Sequence, residues 1–275
     1  MLVYYTLMQA SIRIGATLIG LLIIGFVAAF ASESFLSARG AAGPTAMQSV
    51  APFQSVLALV GVSLISAILG AIVAKIATTN SGMAVFGFGF FVLAMNLAGF
   101  EEFVYLQGNV WLLILELLFL AMLILLGSLL IFAIGGPFES VAEAREGESV
   151  SLLQVLLIGL GILPIVYFVA QVPDKGQVLG ACAVGGIFVG LLTRKFLPSM
   201  QPVWMFALPV ACGAVGYAVG VQMTDFSEEL LIRRRVSHLL FPTPIEYAGG
   251  VILGVSIGLN WLAFLSVPEE AVQNS

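Results

Sequence analysis

The sequence predicts an all-α protein, a polytopic transmembrane helical bundle of about eight spans with one additional interfacial amphipathic helix. Of its 275 residues, 60% are hydrophobic and only 9% are charged, whereas a soluble domain carries about 25% charged residues. A chain of this composition cannot cover a folded domain with a polar surface. Apolar runs of membrane-spanning length alternate with short stretches rich in Gly, Pro and charged residues, and this pattern indicates an integral membrane protein.

Eight apolar segments have the length, or nearly the length, that a helix needs to cross a bilayer. The third segment alternates Phe with Gly as a strand would, but an isolated strand cannot satisfy its backbone hydrogen bonds in lipid, so we expect a helix there too. We also expect Pro164 to kink the fifth segment and Pro209 to interrupt the seventh. The segments are residues 12–31, 53–77, 83–100, 110–134, 150–170, 177–192, 203–221 and 245–267.

Residues 224–241 form a different kind of segment. In a helix through this stretch the apolar side chains fall on one face and the polar ones on the other. We expect an amphipathic helix that lies in the headgroup plane, where Arg233, Arg234 and Arg235 contact anionic lipid. The alternative is that this helix packs against another subunit.

The chain is expected to form a single integral membrane domain over residues 1–275. Two coincidences indicate a weak duplication into four-helix halves, residues 1–138 and 149–275. The second and sixth segments both end in basic residues, and the third and seventh are both followed by paired acids, Glu101–Glu102 and Glu228–Glu229. An internal repeat of this kind is common among transport proteins.

One acidic residue interrupts the apolar run at residues 110–134. Glu116 lies roughly 9 Å past the start of this helix at 1.5 Å per residue, and a carboxyl group at that depth is costly unless it faces the interior and is paired. One interpretation is a protonatable or cation-binding group on a permeation route, with Asn96 and Asn260 in the same site. The other is a structural carboxyl group, hydrogen-bonded to Asn96, Asn260 or a hydroxyl group.

Glycines in the last and seventh segments have the spacing of helix-packing surfaces. Gly250, Gly254 and Gly258 form one stripe, and Gly216 and Gly220 form a GxxxG pair. We expect another helix of the chain to fill the stripe in a compact transporter, or a neighbouring subunit to fill it in a scaffold. Residues 254–258 also match the G-x-S-x-G pattern of hydrolases, but that pattern needs a strand–turn–helix context, so packing is favoured.

The sequence indicates no enzyme activity, cofactor, metal site or nucleic-acid partner. His238 is the only histidine, which excludes a bis-histidine haem and a multi-histidine metal centre. No phosphate-binding GxxxxGK loop, HExxH motif or basic tract is present. Cys182 and Cys212 both fall in apolar segments, where a small buried packing thiol is the expected role.

These observations lead to two functional hypotheses. The first is permeation or transport of a small solute or ion through the bundle, with Glu116 as the titratable group. The alternative is a non-catalytic structural or assembly subunit of a larger membrane complex. The expected partners are the lipid bilayer and either further copies of the chain or other membrane subunits. We expect a protein of the plasma (inner) membrane, and the basic residues near span ends favour both termini in the cytoplasm.

Overall fold

The computed structural model describes residues 2–138, 151–224 and 227–265, and the chain in these ranges is helical, with no β-strand. Because the apolar runs bury or shield their backbone polar groups only as helices, they form the long elements of the fold. The helices in the described ranges are α1 (Leu2–Ala31), α2 (Pro52–Ile76), α3 (Thr79–Asn96), α4 (Phe100–Tyr105), α5 (Val110–Gly135), α6 (Leu152–Leu160), α7 (Ile162–Val169), α8 (Lys175–Phe196), α9 (Val203–Met223), α10 (Glu228–Ile232) and α11 (Pro244–Leu265).

In the described ranges, six helical segments are long and apolar enough to cross a membrane, and by length and composition they are compatible with an integral membrane protein. The predicted number of about eight spans is not confirmed, because α3 and α11 are outside this set. Both are nevertheless long and largely enclosed by other helices. The six segments are Met8–Ser34, Pro52–Ile76, Val110–Gly135, Leu152–Val169, Lys175–Phe196 and Val203–Met223.

Helix α11 lies at the centre of the bundle, since nearly all of its described side chains are buried. It packs against α8 and α3 along much of its length, and against α5 and α9 as well. Helix α2 packs between α3 and α5, and α5 also contacts α9. Helix α1 is peripheral: it contacts α2 and α3, and Phe26 on its outer face is 81% exposed.

The fifth predicted span is divided at Gly161 into α6 and α7. Pro164 follows three residues later and has no backbone N–H, so the carbonyl group of Leu160 loses its helical donor at this point. The expected kink thus corresponds to a one-residue interruption at Gly161, whose backbone stays in the right-handed helical region, and Leu152–Val169 remains one segment of spanning length. Pro209, by contrast, lies inside a continuous α9.

The predicted amphipathic helix over residues 224–241 is not confirmed. The described part of this segment forms the five-residue α10 and a short 3₁₀ turn, His238–Leu240. Helix α10 ends because Arg234 adopts a left-handed conformation with φ of 54°. The apolar side chains of Val236 and Leu240 are buried against the bundle, so they do not form a lipid-facing stripe.

The boundary of the predicted duplication, near residues 139–149, lies outside the described residues. The two halves on either side of it therefore stay a prediction.

Candidate functional site

Four connections meet at one end of the bundle, which we call the loop end: residues 32–51, 97–109, 170–174, and the described part of the connection after α9, residue 224 and residues 227–243. Successive long helices alternate in direction, which brings every second connection to the same side. The backbone N–H of Ala98 donates to the carbonyl of Gly43 over 3.2 Å, and the rings of Phe100 and Phe241 lie 5.8 Å apart. Arg39 forms an ion pair with Glu102 at 3.1 Å. The connections therefore form a folded layer.

Glu116 is fully buried and points from α5 into this layer. Its Oε1 accepts a hydrogen bond from the N–H of Ala46 at 3.0 Å, and its Oε2 accepts one from the N–H of Met47 at 2.8 Å. Both donors belong to the connection between α1 and α2, which turns back toward the bundle interior. Ala46 is itself fully buried. The carboxyl group thus accepts from two backbone donors, one of them on the fully buried Ala46 and the other on the partly buried Met47.

The same connection is attached to α5 at a second point. The backbone N–H of Asn109, the N-cap residue of α5, donates to the side-chain oxygen of Gln48 at 2.7 Å. Within the connection a left-handed Gly40, with φ of 76°, makes the tight reversal that pairs Leu36 with Ala42. Residues 46–48 are consequently held over the start of α5 at two points, by the carboxyl group of Glu116 and by the hydrogen bond between Gln48 and the N-cap residue Asn109.

The structure does not bring Asn96 or Asn260 to Glu116. The side-chain amide of Asn96 donates to the carbonyl of Val92 in its own helix, and Asn96 is exposed. The amide of Asn260 likewise donates to the carbonyl of Ser256, one turn earlier in α11. Each asparagine therefore has a local hydrogen bond, and the three predicted site residues lie apart.

A second buried acid, which sequence reasoning missed, lies at the start of α11. Glu246 is 1% exposed, and its Oε2 accepts a hydrogen bond from the N–H of Thr243 at 2.8 Å. The hydroxyl of Thr243 accepts in return from the N–H of Glu246 at 3.5 Å. This is a capping box, and the sequence T-P-I-E at residues 243–246 is its signature. The other oxygen, Oε1, is buried without a hydrogen-bond partner.

Lys175 lies beside this acid. Its ammonium group donates to the carbonyl of Ala94 at the end of α3, over 2.8 Å. The charges of Lys175 and Glu246 are close enough to interact electrostatically. No ion-pair contact joins the two groups among the described residues, so the interaction between α8 and α11 is a longer-range electrostatic one.

A polar cavity of about 420 Å³ opens next to Lys175 at the loop end. Its wall includes two acids, Glu101 and Asp174, and two bases, Lys175 and Arg234. Glu101 belongs to α4, Asp174 and Lys175 are the N-cap and first residue of α8, and Arg234 follows the end of α10. The cavity has the volume of a small-molecule site, and Glu116 does not line it.

Two buried tyrosines, Tyr217 on α9 and Tyr247 on α11, pack against each other. The rings of Tyr217 and Tyr247 meet edge to face at 5.9 Å, and both side chains are fully buried. The hydroxyl of Tyr217 donates to the carbonyl of Pro242 and so attaches α9 to the connection that precedes α11. The hydroxyl of Tyr247 has no hydrogen-bond partner. Cys182 and Cys212 are buried free thiols.

The glycine stripe of α11 lies against α8 of the same chain. A Cβ atom on Gly254 would lie 2.1 Å from the carbonyl oxygen of Ala183, and one on Gly258 would lie 2.2 Å from that of Ile187. A Cβ atom on Gly250 would meet the side chain of Cys182 at 2.5 Å. These backbones approach too closely for any larger residue.

The GxxxG pair of α9 has side-chain neighbours instead. A Cβ atom on Gly216 would lie 2.9 Å from Leu163, and one on Gly220 would lie 2.8 Å from Leu240. The pair therefore receives side chains from α7 and from the 3₁₀ turn.

The three arginines of the predicted lipid contact are all exposed, but their surroundings differ. Arg233 forms an ion pair with Glu229, one turn earlier, at 2.6 Å. Arg234 and Arg235 line a separate cavity of about 220 Å³. In the part of the chain that the structure describes, no group of three potential metal ligands occurs.

Comparison of the chain with protein-family models, curated proteins and solved structures finds no match.

Proposed function

We propose that the protein is an eight-span, non-enzymatic permeation protein for a small polar solute, with its access site at the loop end. The observation that carries the proposal is the 420 Å³ cavity whose wall holds Glu101, Asp174, Lys175 and Arg234. Acids and bases in one cavity match a zwitterionic or polar solute better than a simple ion, because each ionic group of a zwitterion then meets its opposite charge.

The electrostatic interaction of Lys175 with the buried Glu246 supports this assignment. Ionisable groups in the membrane-embedded part of a protein usually mark substrate or ion pathways. Lys175 both lines the cavity and interacts with Glu246. Glu246 does not itself line the cavity, so its negative charge acts on the site through Lys175.

In this proposal Glu116 has a structural role and the site moves to Lys175 and Glu246. Both oxygens of Glu116 already accept backbone hydrogen bonds, so the group holds the α1–α2 connection over the bundle. The scaffold alternative has less support, because the stripe of Gly250, Gly254 and Gly258 is occupied by α8 of the same chain. A self-contained bundle needs no second subunit on that face.

Osmotic swelling of proteoliposomes tests the proposal. Vesicles containing the purified protein are mixed with isosmotic glycine, a zwitterion, or glycerol, a neutral polyol, and swelling is followed by light scattering. We expect glycine to enter faster than in protein-free vesicles. Lys175→Met should abolish that increase, whereas Lys195→Met, an exposed lysine at the other end of α8, should leave it unchanged. Swelling no faster than in protein-free vesicles for both solutes would reject the permeation role.

A further inference from the structure

A lipid-facing groove lies between the ends of α7 and α9 that reach the loop end. It has a volume of about 330 Å³, and its wall is apolar, with Leu163, Val219 and Leu239 among the lining residues. Phe168 and Met223 at its rim are 71% and 56% exposed. In a membrane this opening faces acyl chains, because α7 and α9 belong to segments of spanning length.

A basic cavity of about 220 Å³ adjoins the groove. The two share Tyr167 and Met223 in their walls, and the second cavity adds Arg234, Arg235 and His238. Within the part of the chain that the structure describes, neither arginine is ion-paired with a carboxylate. The basic cavity thus lies at the end of the apolar groove and carries positive charge that no described acid neutralises.

A buried hydroxyl group without a partner lies in the same cavity. Ser237 is 7% exposed, and its Oγ has no hydrogen-bond partner. The surrounding backbone is fixed, since the N–H of Ser237 donates to Thr224 at 2.9 Å and His238 is hydrogen-bonded to the carbonyl of Tyr167 at 3.0 Å. A buried hydroxyl group without a partner costs free energy, and a phosphate oxygen would accept its hydrogen bond.

We propose that this pair of cavities binds one anionic phospholipid, with an acyl chain in the groove and the phosphate-bearing headgroup against Arg234, Arg235 and Ser237. The apolar groove and the charged cavity meet in the order that a lipid requires, chain toward the membrane and headgroup toward the loop end. Arginine is suited to phosphate because its planar fork donates two parallel hydrogen bonds. The proposal does not rest on the proposed permeation; Arg234 lines both this basic cavity and the solute cavity, whereas Arg235 lines the basic cavity and not the solute cavity.

Native mass spectrometry of the detergent-purified chain tests the headgroup part. The probes are phosphatidylglycerol and phosphatidylcholine with identical acyl chains, and glycerol phosphate as an anion without chains. We expect phosphatidylglycerol to bind at least about fivefold more tightly than phosphatidylcholine, the effect of one nearby basic residue on anionic lipid. Arg235→Gln should remove about that factor. Arg233→Gln removes the same charge next to the site, but Arg233 is paired with Glu229, so its effect should stay within about twofold.

A matched pair of valine variants tests whether an acyl chain lies in the groove. Val219→Phe places a ring in the groove, while Val215→Phe adds the same ring one turn earlier on the exposed surface of α9. We expect only Val219→Phe to weaken binding of both lipids, with thermal unfolding of each variant in detergent as the folding check. Equal binding of the two lipids, equal effects of the two arginine variants, or equal effects of the two valine variants would overturn the proposal. Competition by glycerol phosphate as strong as that by phosphatidylglycerol would instead assign the site to free phosphate esters.

Discussion

Replacement of Glu116 should loosen the loop end and destabilise the protein. In Glu116→Gln one carboxylate oxygen becomes an amide nitrogen, so either Ala46 or Met47 loses its acceptor and meets a donor instead. A buried N–H without a partner costs about 1–3 kcal/mol, which sets the expected loss. Glu116→Ala removes both acceptors and should cost about 2–6 kcal/mol by the same reckoning.

Two measurements check this expectation. Unfolding by a denaturing detergent in mixed micelles gives the change in stability, and amide hydrogen exchange reports the N–H groups of Ala46 and Met47 directly. Glu101→Gln, the same chemical change at an exposed position, should alter stability by no more than about 0.5 kcal/mol. If Glu116→Gln leaves both stability and exchange unchanged, the two hydrogen bonds do not hold the connection and the structural role of Glu116 is wrong.

Three other outcomes are expected. Gly254→Leu should destabilise the fold by about 3 kcal/mol or more, because its Cβ atom would collide with the backbone of α8. Gly61→Leu, with no atom near its Cβ position, should cost less than about 1 kcal/mol. Equal effects of the two variants on unfolding in detergent would contradict the packing argument. Thr243→Val should cost about 1 kcal/mol through loss of the cap of α11, measured in the same assay, and a neutral result would show that the cap contributes nothing. With both termini in the cytoplasm, an impermeant maleimide added to intact cells should label Lys175→Cys and not Lys195→Cys; the opposite pattern would invert the orientation.

The positions of the long helices can be predicted from the sequence because an apolar helix must be long enough to cross the hydrocarbon layer of the membrane. The run predicted at residues 110–134 is α5, Val110–Gly135, and its end is marked by Gly136 with φ of 88°. A glycine after an apolar run is the usual helix stop, since it accepts the left-handed conformation. Local chemistry was sufficient to locate these boundaries.

The hydrogen-bond partners of Glu116 depend on information that the local pattern does not contain. Ala46 lies 70 positions away in the chain, in a connection whose Gly, Ser and Pro content indicates only a loop. Residue types alone favour polar side chains from other spans, Asn96 and Asn260, as partners of a buried carboxyl group. A loop that folds back over the bundle supplies free N–H groups, and no periodicity predicts them.

The interruption after α10 was missed for a related reason. The hydrophobic pattern continues through residues 230–240, so a helix was expected to continue as well. Arg235 instead donates its N–H to the carbonyl of Leu230, and Arg234 donates to Leu231, which closes a Schellman motif. The left-handed residue is Arg234, and an arginine at that position gives no sequence signal for a helix end.

Helix α4 ends in the same motif, also without glycine at the left-handed position. Gln107 has φ of 51°, its N–H donates to the carbonyl of Val104, and Gly108 donates to Phe103. In both segments the left-handed residue stands five positions after the second acid of a Glu–Glu pair. A residue with a side chain is uncommon in this conformation. Its recurrence at corresponding positions is what a duplicated chain would retain.

This correspondence gives the duplication a test that does not depend on overall sequence similarity. A residue with a Cβ atom pays roughly 1–2 kcal/mol in the left-handed conformation, so Gln107→Gly and Arg234→Gly should each raise the free energy of unfolding, by about 1 kcal/mol after the added chain entropy of glycine. Leu106→Gly, at an ordinary φ of −81°, should lower it by up to about 1 kcal/mol. Stabilisation at both positions would confirm that the two short helices end in the same left-handed turn, which is a condition that equivalent halves must meet. A gain at one position and a loss at the other would mean that the two turns hold different backbones, and the argument for equivalent halves would lose its structural support.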